Sequence, residues 1–196
     1  MTAVLKTKPV RVVELRTPCV ERFTGASDAA YEDKVGTGGY LYLLQSGGTW
    51  HNRTGRFGRV PGSFYDYWED RETYIAQLEL LMVLVAVIKE GAALRHRRGV
   101  WYIDNVAALM ALVRGASNNP GLNAMAGAIH AALFSLKTWV YFEWVESEAN
   151  WSDGISRDGK GCQWARRHGF QTSQIAFPHR MLSLPAYPVM IIAQFV

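Results

Sequence analysis

The chain has 196 residues, 49% of them apolar, which is enough to bury one large core in a single domain of generous size or a domain with extensions. Its 21 Lys and Arg against 17 Asp and Glu give a formal charge of +4, a mild excess that suits a polyanionic partner without requiring one. The two cysteines, Cys19 and Cys162, form no CxxC pair, which argues against a disulfide scaffold and a zinc site and for a reducing compartment.

Residues 1–18 mix Lys, Thr, Val and Pro and read as an arm or lead-in strand, with no secretory pattern. Alternation from Val20 to Ser27 predicts a strand. Gly36 to Gln45 predicts a second, and the turn Gly47-Gly48 returns the chain as a third from Thr49 to Val60, making a meander. An aromatic-rich loop follows from Pro61 to Asp70. Asp70 is the expected N-cap of a long helix over Glu72 to Glu90 that Gly91 stops. The apolar stretch from Tyr74 to Ile88 is 15 residues long and contains Gln77 and Glu79, too short and too polar to span a bilayer. The expectation is therefore a soluble, intracellular protein, cytoplasmic or nuclear, with no membrane partner.

After the basic turn Arg95-His-Arg-Arg98, the run Val100 to Ile103 reads as a buried strand ended by Asp104-Asn105. A helix over Val106 to Arg114, a loop from Gly115 to Gly121, a helix over Leu122 to Leu136 and a strand over Thr138 to Val145 follow. Asn150-Trp-Ser-Asp153 opens a further helical turn. Strands joined through helices run parallel, so the expected fold is α/β: a mixed five-stranded sheet, an antiparallel meander plus two parallel strands, with helices packed on it. The domain is expected over residues 19–158, with 159–196 a basic and then apolar extension.

Three acids stand where acids are costly. Glu79 lies in a helix apolar on nearly all sides, where an unpaired charge costs several kcal/mol. Asp104 ends a buried strand and Asp153 starts a helix; each has an ordinary reading as a cap or a partner of the helix dipole, and Asn105 could serve as the cap instead. Together, such positions can converge at one edge of the sheet. A cluster of carboxylates needs cations to stay ionised, and hard oxygen ligands select Mg2+ or Mn2+. Two such ions would polarise a phosphodiester, generate hydroxide and stabilise the leaving oxygen, which is nuclease chemistry.

The segments FTGAS…GTGGYLY, IAQLELLMVLVAV, VWYIDNVAALMALVRGAS and FEWVESEANWSDGISR resemble the ribonuclease H-like domain of retroelement (retrotransposon) reverse transcriptases. The resemblance covers Val20 to Arg157. Its most specific part is Val145-Glu-Ser-Glu-Ala-Asn150-Trp-Ser-Asp153-Gly-Ile-Ser-Arg157, on the pattern V-x-S-x-x-N-x-x-D-x-x-S-R. It implies a metal-dependent endonuclease that uses two Mg2+ or Mn2+ ions to hydrolyse the RNA strand of RNA/DNA hybrids. A reverse transcriptase domain in the same polyprotein would be the natural partner. Glu79, Asp104 and Asp153 would be its catalytic, metal-holding acids.

By the same resemblance the family's first aspartate falls on Gly25, which is expected to weaken or abolish activity. A substitute role for Asp28 ranks lowest, because residues 25 and 28 point to opposite faces of an extended chain. The alternative reading is a non-catalytic nucleic-acid-binding or assembly module of the same fold. Arg95, Arg97 and Arg98 could contact phosphates or form a solvated turn, Arg157 could hold a phosphate or pair with a cluster acid, and Ser27 and Asn105 could meet 2′-hydroxyls in a shallow minor groove.

Overall fold

The computed structural model describes residues 21–68 and 72–177. The N-terminal arm, the Asp70 cap and the far end of the C-terminal extension lie outside the described residues. Strands β1 (Arg22–Glu32), β2 (Val35–Ser46) and β3 (Thr49–Arg59) form the antiparallel meander. Gly47 and Gly48 make its second turn as expected, both at positive φ. The first turn is Asp33-Lys34, at φ of 50° and 62°. This two-residue turn contains neither Gly nor Pro, so the sequence reading ends the strand at Ser27, whereas the strand runs on to Glu32.

Strand β4 (Arg98–Ile103) pairs parallel with β1, and β5 (Trp139–Trp144) pairs parallel with β4. The expected five strands become six. Strand β6 (Gln171–Gln174) pairs parallel with β3, giving the order β5-β4-β1-β2-β3-β6. Its sequence, QTSQ, has no apolar alternation to announce it. The first part of the segment after residue 158 thus folds onto the sheet edge.

Helix α1 (Ile75–Lys89) begins three residues later than predicted, and α2 (Gly91–Leu94) follows it. Helix α3 (Val106–Arg114) has its predicted bounds and ends on Gly115 at φ 67°, the left-handed cap position. Helix α4 (Pro120–Ser135) is capped by Asn119, whose side chain accepts from the Leu122 amide at 2.9 Å. These helices lie over one face. Helix α1 is apolar all round because one side covers β1 and β2 while the other is covered by α3 and α4. The opposite face carries α5 (Asp153–Asp158), whose Ile155 packs with Leu41, Phe170 and Ala165; this last residue lies in α6 (Gln163–Arg167).

Gly25 and Ser27 belong to the α1 face. Trp101 of β4 is in register with Gly25 and lays its indole over it; a Cβ there would sit 2.5 Å from Cε3 and Cζ3 of that ring. The ring is buried, and its Nε1 donates to Ser27 Oγ at 3.0 Å. Gly25 is therefore glycine for the sake of the tryptophan. Gly25→Ala is expected to cost about 1–3 kcal/mol through overpacking, and Gly25→Asp more, because it adds a buried unpaired charge. Urea denaturation of the full chain checks this, and an unchanged midpoint for Gly25→Asp would contradict the packing account.

Candidate metal centre

The parallel ladder between β1 and β4 ends at the pair Ala26↔Tyr102. Two residues beyond each lie Asp28 and Asp104, so the register brings two carboxylates level at the same end of adjacent strands. Asp28 points away from α1, opposite Gly39 of β2. Glu79 reaches them from α1, and its Oε1 accepts the Ala29 amide at 3.0 Å. The three acids offer oxygen atoms within 4.8 Å of one another. They line a cleft of about 350 Å³ together with Asp153, Asn105, Arg157, Tyr31, Glu32 and Ser147.

This corrects the expectation for Gly25. Asp28, not Gly25, is the β1 residue that meets Glu79 and Asp104. The two positions do point to opposite faces, as expected, but the strand continues past Ser27, so the site end of β1 lies three residues further along than the sequence reading sets it. The signal that would have found Asp28 is the register itself: Asp104 two residues past Tyr102 demands a partner two residues past Ala26.

The other predicted residues divide. Asn105 caps α3, accepting from the Ala108 amide at 3.0 Å, which frees the Asp104 carboxylate for the cluster. Asp153 opens α5 and lines the cleft, with its Oδ1 accepting from Arg157 Nε at 2.7 Å. Arg157 also faces Glu32 at 3.8 Å. Ser27 does not reach the cleft: it is fully buried under Trp101, and its carbonyl accepts from Asn150 Nδ2 at 3.2 Å. Arg95, Arg97 and Arg98 sit at the start of β4, about 20 Å from Asp104 at the rise of a strand. Arg97 there ties Glu21 and the carbonyls of Ala93 and Gln45 together, and Arg98 lies 5.4 Å from the Trp139 ring centre.

Two residues of the last motif hold the site without lining it. Asn150 is buried and bridges the elements: its amide binds Ser27 O, while its Oδ1 accepts from the Ser152 amide at 3.1 Å and Ser152 Oγ at 2.6 Å. Ser156 hydrogen-bonds Asp28 Oδ2.

Burial dominates the electrostatics. It pushes Asp28 up to about 7, aided by Asp104 and Asp153 and opposed by the Ser156 hydrogen bond and Arg157. Glu79 is raised well above the usual carboxylate range, first by burial, then by Asp28 and Asp104, against the Ala29 hydrogen bond. Glu79 Oε2 is buried with no hydrogen-bond partner. An all-oxygen donor set with an orphaned carboxylate oxygen fits a hard divalent cation such as Mg2+ or Mn2+.

No protein-family model matches the chain, and no curated protein matches it significantly. Solved structures do match, among them three ribonuclease H domains. Ribonuclease H1 from the halophilic archaeon Halobacterium salinarum NRC-1 is 19% identical, with a TM-score of 0.47 over 67% of this chain and 90% of that one. The N-terminal RNase H domain of a Mycobacterium tuberculosis protein, solved as a fusion with maltose-binding protein, is 16% identical, with a TM-score of 0.47 over 76% and 98%. LC11 ribonuclease H1, isolated from compost by a metagenomic approach, is 13% identical, with a TM-score of 0.47 over 70% and 94%.

The raised acids set a pH dependence for the metal-free protein. Folded Asp28 keeps its proton to about pH 7, whereas the unfolded chain releases it near the ordinary value of 3.8, so the native state binds more protons between them. Stability is therefore expected to fall as pH rises from about 4 to about 7 as Asp28 loses its proton, with Glu79 adding in the same direction. Asp28→Asn should stabilise the metal-free protein by about 1–3 kcal/mol at about pH 8 and by little at about pH 4. Denaturant titrations at the two pH values test it.

Proposed function

We propose that this chain is a ribonuclease H-type endonuclease that hydrolyses the RNA strand of RNA/DNA hybrids. The observation that carries the reading is the convergence of Asp28, Glu79 and Asp104 within 4.8 Å at the floor of a cleft, with one Glu79 oxygen unpartnered. The motif around Asp153 supports it, as does the resemblance to retroelement reverse transcriptases, whose polymerase domain is the partner this reading implies.

Asp28, Glu79, Asp104 and Asp153 would hold two divalent ions, which supply charge neutralisation at the phosphate and an acidified water. The chain contributes the rest. The Ala29 amide fixes one oxygen of Glu79 and leaves the other turned inward. Asn105 and Ser147 present polar groups at the rim, where 2′-hydroxyls of an A-form strand would lie in a shallow groove. Arg157 holds Asp153 in position and brings positive charge to a cleft whose other charged lining residues are all carboxylates. Burial of Asp28 and Glu79 raises their hold on protons, so a cation would have to compete with protons for them.

The non-catalytic alternative rested on Gly25, and Gly25 lies on the other face of β1 beneath Trp101. Gly25 therefore gives no reason to expect an impaired site.

The test is cleavage of an end-labelled RNA/DNA hybrid by the full chain in Mg2+ and in Mn2+, beside duplex DNA, duplex RNA and single-stranded RNA. The expected result is cleavage of the RNA strand of the hybrid alone. Asp28→Asn, Glu79→Gln and Asp104→Asn should each lower the rate by on the order of 10²–10³-fold or more. An inactive parent chain, or full activity in Asp28→Asn, would overturn the reading.

A further inference from the structure

We propose that Ser156 is a positioning residue for the carboxylate cluster: its hydroxyl fixes one oxygen of Asp28 so that the other faces Glu79 and Asp104. The inference rests on the ribonuclease reading above. Ser156 is 4% exposed and stands one turn into α5. Its Oγ hydrogen-bonds Asp28 Oδ2 and also lies 2.7 Å from the carbonyl of Asp153. A hydroxyl has one proton, and an ionised carboxylate is a stronger acceptor than a peptide carbonyl, so with Asp28 ionised the proton goes to Asp28. Ser156 thereby links two of the four acids: it grips the side chain of Asp28 and touches the backbone of Asp153.

This contact matters because of what else surrounds Asp28. The carboxylates of Glu79 and Asp104 converge on it and repel it, and the final torsion of an aspartate is soft and nearly two-fold. Without a donor on one oxygen, the group would turn and present either oxygen at a range of angles. Groups that orient a metal-holding side chain in this way typically change metal affinity or activity 10–100-fold when removed.

The seating of α5 does not depend on that hydrogen bond. Ile155 packs over Gly39, where a Cβ would lie 3.1 Å from its Cγ2, and Asn150 binds the Ser27 carbonyl. The helix should therefore stay in place when the hydroxyl alone is removed, which separates positioning from folding.

The experiment compares the full chain with Ser156→Ala and Ser156→Thr by calorimetric titration with Mn2+ and by steady-state cleavage of the hybrid at saturating Mn2+. For Ser156→Ala the expected result is Mn2+ binding weaker by about 10-fold or more, with kcat lower by about 10–100-fold. KM for the hybrid should not change. Ser156→Thr, which keeps the hydroxyl, should recover most of both losses. If the parent binds Mn2+ and cleaves while Ser156→Ala does both equally well, the role of Ser156 is overturned and the ribonuclease reading stands. A Ser156→Thr variant as impaired as Ser156→Ala also overturns it, since the hydroxyl is then not what acts. A parent that neither binds Mn2+ nor cleaves overturns the ribonuclease reading and this proposal together.

Discussion

The parallel ladder between β1 and β4 decides where the carboxylates of the candidate metal centre meet. It ends at Ala26↔Tyr102, and from there both strands extend unpaired with one another, carrying Asp28 and Asp104 to the same height. A shift of one residue in that register would send one carboxylate to the opposite face of the sheet, because strand side chains alternate with period two. Trp101, in register with Gly25 and bonded to Ser27, reads that alignment: its indole fits only where the strand has no side chain, so the glycine acts as a register key.

Holding carboxylates together at a buried edge opposes folding, and the surrounding packing offsets it. Helix α1 carries Glu79 into the interior among Leu78, Leu80, Leu81 and Leu84, each fully buried. At about 2 kcal/mol per buried leucine, these neighbours outweigh the several kcal/mol that one poorly compensated acid costs. The acids respond to the remaining strain by keeping their protons, Asp28 to about 7 and Glu79 well above its usual range. A cation with oxygen preference would relieve that strain, which is why the donor set fits one. The C-terminal end of α1 solves a similar problem differently: buried Glu90 has a resident cation in Arg56 at 2.9 Å and accepts from the hydroxyls of Tyr40 and Tyr42. The contrast separates the two groups of charge. One is complete within the chain, and the other leaves an oxygen open.

Much of this could be read from the residues alone. Period and punctuation determined the meander, the wholly buried helix, the parallel strands and the bounds of α3, because apolar spacing and caps act locally. The expense of burying Glu79 and the end-of-strand setting of Asp104 marked both as site residues for the same local reason. What only the tertiary structure decided was how far each strand runs and what lies beside it. A turn of Asp33 and Lys34, strained for both residues, is tolerated because two long strands pair around it, and it carries β1 on to Asp28. Strand β6 exists because β3 offers it an edge, not because QTSQ favours a strand. The same logic removed Ser27 and the arginines leading into β4 from the cleft: their residue types suited the role, but alternation turned Ser27 inward, and strand direction put the arginines at the far end. Residue chemistry is written along the chain, whereas register and direction arise between segments, and the site depends on both.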